Sequence, residues 1–174
     1  AEALGLAEHF AAGEPVVVIL GDNICQDTLA DAVEAYRAGS GGGMILLKEV
    51  PDPERFGVAR LEEGAVREIV EKPTRPPTSL AVTGCYLYDA RVFEIISGLE
   101  PSRRGELEIT DVNNRYVAWG EMRHRVLDGW WTDAGTVPSL HRATRLVAED
   151  RDNPLFAHGT GGAAPAHGDD PRAP

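Results

Sequence analysis

Lysine is scarce in these 174 residues. It occurs only at Lys48 and Lys72, every other basic side chain being arginine. Cysteine is scarcer still in effect: Cys25 and Cys85 stand alone in apolar segments. Two such thiols make neither a disulfide framework nor a cysteine zinc site, and they fit a reducing, cytoplasmic compartment. No apolar run approaches the ~18–20 residues that a membrane span needs. The first residues show no basic stretch followed by an apolar one, the mark of a secretory signal. The five histidines, at 9, 124, 141, 158 and 167, lack metal-ligand spacing. No dinucleotide-binding glycine fingerprint and no nucleophile elbow occurs. Positive charge is also short, with 17 Lys and Arg against 28 Asp and Glu and a net charge of −11. That field disfavours nucleic acid and an acidic membrane surface as partners.

What is present reads as one soluble domain followed by a tail. Hydrophobic residues make up 43% and charged residues 26% of the chain, the balance of a globular protein. Ala3, Leu6, Ala7 and Phe10 fall on one face of a helix over residues 1–12. Residues 15–20 form a β-branched run suited to a strand buried on both faces of a parallel sheet, ending at Gly21-Asp22-Asn23. Thr28 and Asp31 suggest a helix cap, with Leu29, Ala32, Val33 and Tyr36 as the stripe behind it. Strands are expected at 44–50 and 81–88, a hairpin at 57–61 and 65–70 around Glu62-Glu63-Gly64, and a strand at 121–128. Asp89 is placed to cap a helix carrying Val92, Phe93 and Ile96. A further helix runs to about Trp119, residues 129–136 read as a loop, and Thr136 caps a last helix with Pro138 in its first turn. Strands alternating with helices give an α/β fold with a mainly parallel sheet. From about Arg151, Gly, Ala, Pro, His and Asp dominate and no period survives, so 151–174 reads as a disordered tail.

Several residues have chemistry beyond packing. Asp22 follows a buried strand, where ligands of open α/β sheets bind; it can hold a metal or simply stabilise the turn. Asp133 follows two tryptophans and precedes a glycine, and can complete a metal site or cap a helix. Glu71-Lys72-Pro73 ends a strand; the acid can accept sugar hydroxyls and the lysine can face a phosphate, or the two can form an ordinary solvated ion pair. The run Arg103 to Asp111 mixes both signs. An arginine in it can contact a phosphate or belong to a salt-linked loop.

Taken in order, the segments Leu20-Gly21-Asp22-Asn23-Ile24, Asp52-Pro53-Glu54-Arg55-Phe56-Gly57-Val58, Glu71-Lys72-Pro73, Val82-Thr83-Gly84, Arg104-Gly105-Glu106-Leu107-Glu108-Ile109-Thr110-Asp111 and Trp131-Thr132-Asp133-Ala134-Gly135-Thr136 form a distinctive set. It resembles the bacterial sugar-1-phosphate nucleotidyltransferases, most closely those that transfer a thymidylyl group to glucose 1-phosphate. The resemblance covers residues 1–150. It implies a Rossmann-like sheet flanked by helices, with dTTP and glucose 1-phosphate as substrates and dTDP-glucose and pyrophosphate as products. It further implies Mg²⁺ as cofactor and a homo-oligomer for complete members. By matching position, it implies Asp22 and Asp133 as metal ligands and Gly57, Glu71 and Val82 as sugar contacts. Lys72 and Arg104 match the phosphate contacts, and Trp131 the border of the sugar pocket. Phe56 and Ala134 depart from Tyr and Thr in many relatives.

The larger departure is at the start. The family opens with a strand and a Gly-rich, Arg-containing phosphate loop that do not occur in this sequence. The chain therefore reads as the C-terminal two-thirds of the family domain, truncated at its N-terminus and incomplete as a catalyst by itself. Two other readings remain open. One is a non-catalytic sugar-phosphate-binding or oligomerising remnant. The other is a nucleotide-sugar glycosyltransferase, although Asp22-Asn23-Ile24 is not the Asp-x-Asp triplet usual there. Residues from about 155 onward offer few apolar side chains to offset the entropy of ordering. Deleting 155–174 is accordingly expected to leave the thermal midpoint nearly unchanged, as followed by a circular-dichroism melt.

Overall fold

The computed structural model describes residues 1–150, so the tail expectation for 151–174 lies outside the described residues. The chain opens with two single-turn helices, α1 (Glu2–Gly5) and α2 (Glu8–Ala11). Strands β1 (Val16–Ile19) and β2 (Asn23–Cys25) follow, then α3 (Ala30–Arg37) and β3 (Gly43–Glu49). The hairpin β4 (Gly57–Glu62) and β5 (Ala65–Glu71) leads to β6 (Leu80–Tyr88), α4 (Arg91–Ser97) and α5 (Ile109–Ala118). The last elements are β7 (Met122–Val126), β8 (Trp131–Asp133) and α6 (Val137–Glu149).

Six strands form the central sheet in the order β5-β4-β6-β3-β7, with β1 also paired to β6. Side chains alternate across it. Ile45, Leu47, Val82, Tyr86 and Tyr88 pack one face against Val92, Phe93 and Ile96 of α4 and Val112 and Tyr116 of α5. Met44, Leu46, Cys85 and Leu87 pack the other face with Ala32 and Tyr36 of α3. The result is an α/β architecture with a sheet flanked by helices, as expected. Strand direction differs from expectation. Among the described pairings only β3–β7 is parallel, while β6 runs antiparallel to β1, β3 and β4, and β4 to β5. Parallel neighbours need a long crossover, usually a helix. Between β3 and β6 the chain has only a hairpin and turns, so it returns antiparallel.

Three local expectations are corrected. The N-terminal segment breaks at Leu6-Ala7 into two turns and presents a different face: Leu4 and Ala11 meet the core while Leu6 and Phe10 are exposed. Strand β1, from the run at 15–20 expected to be buried on both faces, alternates instead. Val16 and Val18 pack inward and Val17 and Ile19 are exposed, because only one face of this strand is covered. Thr28 caps nothing: α3 begins after Leu29 without a side-chain cap. Other expectations hold. Glu63 and Gly64 both take positive φ (51° and 76°), which suits a tight two-residue hairpin. Thr136 forms a reciprocal cap with Ser139, and Pro138 sits in the first turn.

Asp89 secures the end of β6. Its Oδ2 accepts from the Gly42 amide at 2.8 Å and from Arg91 Nη2 at 2.6 Å, and its Oδ1 accepts from the Arg91 amide at 3.1 Å and the Tyr116 hydroxyl at 2.9 Å. Burial pushes this carboxyl up, but the hydrogen bonds from Arg91, Gly42 and Tyr116 outweigh it and hold the group below its ordinary value. A carboxyl held low in the fold contributes stability above its unfolded pKa and loses it as pH falls through the folded one. Asp89→Asn is expected to cost about 2–3 kcal/mol at neutral pH, the order for hydrogen bonds to a charged acceptor. In urea titrations the gap to wild type narrows as pH falls below about 4, the ordinary carboxylate range.

Candidate functional site

The site is built where β1 ends. The Leu20 amide donates to the Gly84 carbonyl of β6, and the Asn23 amide donates back to the Leu20 carbonyl at 3.0 Å. This turn carries Asp22 at its tip and leads into β2. The three residues of β2 pair with β8, Asn23 opposite Asp133 and Cys25 opposite Trp131. Neither strand was expected from the sequence, where both stretches read as turn or loop. The Asp22 carbonyl also accepts from the Ala134 amide at 2.7 Å. The two acids, far apart in the chain, are thereby held at one place. A Cβ on Gly135 would lie 3.1 Å from Asp22 Oδ2 and 3.8 Å from Asp133 Oδ2.

The Asn23 side chain ties this corner together. Its amide nitrogen donates to Asp22 Oδ1 at 2.9 Å. Its oxygen accepts from the Gly84 amide and from Trp131 Nε1, both at 2.8 Å. Residue 84 has to be glycine, because a Cβ there would sit 2.3–2.9 Å from the Asn23 amide atoms. Trp131 is buried and meets Phe56 edge to face at 5.1 Å between centroids. The Arg55 guanidinium stacks over Phe56 at 4.9 Å. Its Nη2 reaches both oxygens of Asp133 (3.1 and 3.2 Å), while Nη1 reaches Asp52 Oδ2 at 2.8 Å.

The facing wall comes from the hairpin and α5. Gly57 and Glu71 are register partners. Glu71 Oε2 accepts from the Thr110 hydroxyl at 2.6 Å, and its Oε1 lies 3.9 Å from Lys72 Nζ. Gly57 keeps this wall open: a Cβ there would stand 3.4 Å from Glu71 Oε2. These walls enclose a cleft of about 380 Å³ that Asp22, Asp133, Gly57, Glu71, Lys72, Val82 and Trp131 all line. Arg104 does not line it. Its guanidinium lies 3.7 Å from Glu71 Oε1, 3.2 Å from Glu106 and 3.6 Å from Glu108. Arg104, matched to a phosphate contact from the sequence, thus stands one ion pair away from the cleft, held by three carboxylates.

Asn23, Arg55 and Asn113 belong to the site but were not singled out from the sequence. The first two sat inside quoted motifs, which was the available signal. Asn113 gave none. It lines the cleft, is fully buried, and its Oδ1 accepts from the Tyr88 hydroxyl at 2.6 Å. Its amide nitrogen is buried with no partner among the described residues. A buried donor left unpaired costs on the order of 1–3 kcal/mol, so this one is available to a ligand acceptor. Burial holds Tyr86 and Tyr88 above the usual phenol range, so both are neutral hydroxyls at physiological pH.

Among the described residues no cluster of three or more metal-ligating side chains occurs, and no helix is long and apolar enough to cross a membrane. Two carboxylates on one open cleft still suit Mg²⁺. That ion commonly takes one or two carboxylates and completes its shell with water and substrate phosphates.

The nucleotidyl transferase family profile matches residues 1–150. The chain is 41% identical over 153 residues to the low-salt glycan biosynthesis nucleotidyltransferase of Haloferax volcanii, covering 87% of this chain and 43% of that protein. It is 40% identical over 151 residues to the glucose-1-phosphate thymidylyltransferase of Xanthomonas campestris, covering 84% and 51%. Among solved structures, a Bacillus anthracis protein provisionally assigned as a glucose-1-phosphate thymidylyltransferase, in complex with sucrose, superposes with a TM-score of 0.81 at 51% identity, covering 86% and 61%. A UDP-glucose pyrophosphorylase in complex with UDP-glucose superposes with a TM-score of 0.76 at 28% identity, covering 86% and 62%. The chain thus spans about half the length of the curated relatives it matches. With its sheet, its cleft and its motifs in one order, this chain belongs to the nucleotidyl transferase family.

Proposed function

We propose that the cleft binds a sugar 1-phosphate and a divalent metal as part of a nucleotidyltransferase that converts dTTP and glucose 1-phosphate to dTDP-glucose and pyrophosphate. The observation that carries this is the meeting of Asp22, Asp133, Glu71 and Lys72 on one cleft. A phosphate oxygen of the sugar phosphate attacks the α-phosphorus of dTTP in line, and the bond to pyrophosphate breaks. No covalent enzyme intermediate is required, so catalysis rests on positioning and charge neutralisation. Mg²⁺ held by Asp22 and Asp133 would neutralise charge on the transferring phosphate.

Each side chain has a distinct task. Lys72 offers a mobile point charge to the sugar phosphate. Its neighbour Glu71, fixed by the Thr110 hydroxyl, accepts sugar hydroxyls through its free oxygen lone pairs. The unpaired Asn113 amide donates to a hydroxyl oxygen. Gly57 and Val82 shape the sugar's space, and Trp131 closes its end. Arg104 reaches the phosphate only by leaving Glu106 and Glu108 for the rim of the cleft. We therefore assign this cleft sugar-phosphate and metal binding.

The test has two arms. Isothermal titration of the 174-residue chain with glucose 1-phosphate and Mg²⁺ is expected to show binding that Gly57→Ala weakens about tenfold, the order for losing ~1.4 kcal/mol of fit. No binding would overturn the assignment of the cleft. Pyrophosphate release from dTTP or UTP with glucose 1-phosphate is measured on this chain and on a fusion that supplies the remaining length of its relatives. In whichever form turns over, Asp133→Asn is expected to lower turnover about a hundredfold or more with little change in thermal midpoint, and unchanged turnover would overturn the role of Asp133. Preference for UTP would move the assignment from a thymidylyl to a uridylyl transferase.

A further inference from the structure

Arg55 has no assigned part in this chemistry, yet it is the cation that sits on Asp133. Both oxygens of that carboxylate face Nη2 at 3.1 and 3.2 Å. The other arm is anchored on Asp52 at 2.8 Å, and the plane stacks over Phe56. The residue lies at the end of a short 3₁₀ turn, Pro53–Arg55, and its guanidinium is part of the cleft wall. Among the described residues Asp22, by contrast, receives only the neutral Asn23 amide on its Oδ1. Among those residues a cation therefore covers Asp133 and none covers Asp22.

We propose that Arg55 is an internal counter-cation for Asp133 that competes with the divalent metal and transfers to a substrate phosphate when the metal loads. The proposal rests on the reading of Asp22 and Asp133 as metal ligands. A dication and a guanidinium cannot both take the same pair of oxygens without repulsion between them. A phosphate, with more charge and more acceptor oxygens than a carboxylate, is the better partner for the fork of an arginine. The Asp52 anchor and the Phe56 stack hold the base of the side chain, so only the Asp133 contact has to be released. Metal and sugar phosphate then bind with positive coupling, each tightening the other by the same factor. Part of that coupling runs through Arg55.

The test is Mn²⁺ binding to the 174-residue chain, read by electron paramagnetic resonance of free Mn²⁺, with and without glucose 1-phosphate. In the absence of sugar phosphate, Arg55→Gln is expected to bind Mn²⁺ about three- to tenfold more tightly than wild type, the order for removing a half-exposed cation from the metal's neighbourhood. It is also expected to show a smaller gain when glucose 1-phosphate is added. Unchanged or weaker Mn²⁺ binding by Arg55→Gln overturns the proposal. Should that variant fail to fold, Arg55→Lys decides, because a single ammonium lacks the two-nitrogen fork that reaches Asp52 and Asp133 together. Tighter Mn²⁺ binding than wild type supports competition, and equal or weaker binding refutes it. Asp133→Asn separates the two levels of the argument: if it leaves wild-type Mn²⁺ affinity intact, the metal reading fails and the proposal with it.

Discussion

The site depends on one side-chain amide. Asn23 holds the turn after β1, the central strand β6 and the aromatic wall in a single set of hydrogen bonds, to Asp22, the Gly84 amide and Trp131. A three-residue ladder such as β2–β8 is too short to be stable alone. Here it is fastened to the six-stranded sheet through Asn23 and through the Asp22 carbonyl to the Ala134 amide. The absence of a side chain at Gly84 gives the Asn23 amide its room. Without this fastening nothing would oblige Asp22 and Asp133 to share a cleft.

Electrostatic balance in the cleft follows from that arrangement. Acids brought together on an acidic protein need counter-charges, and the chain supplies them locally. Arg55 covers Asp133, and Lys72 and Arg104 both approach Oε1 of Glu71. These pairs are partly exposed and individually weak, so each cation can exchange its partner at little cost. Glu71 is the exception: its short bond from Thr110 fixes one oxygen. The rigid acceptor and the exchangeable cations thus lie side by side.

Rigidity behind the cleft comes from β6. It pairs with β3 along one edge and with β1 and β4 along the other, and both cores grip it, through Tyr86 and Tyr88 on one face and Cys85 and Leu87 on the other. Asp89 locks its end to α4, α5 and the Gly42 turn. Val82, Gly84 and Tyr86 enter the cleft from this strand, so its floor is among the best-anchored parts of the molecule.

The sequence by itself determined the longer elements and most of the site's inventory. Apolar runs and hairpin signals placed β3, β4, β5 and β6, Thr136 marked the last helix, and ordered motifs named Asp22, Gly57, Glu71, Lys72, Val82, Trp131 and Asp133. Such features are local, with a period or a cap written in neighbouring residues. Tertiary structure alone decided the rest. Strands β2 and β8 have three residues each, too few for a period, and exist because each finds the other. The antiparallel setting of β6 depends on which strands flank it. Leu6 and Phe10 share the helical spacing of a buried face, yet Leu4 and Ala11 meet the core, since the chain breaks between two turns. Arg55 and Asn113 acquired their places, and Arg104 its distance from the cleft, from partners remote in the chain. Charge and hydrogen bonding between distant residues are set by where the fold brings them, and no local pattern encodes that.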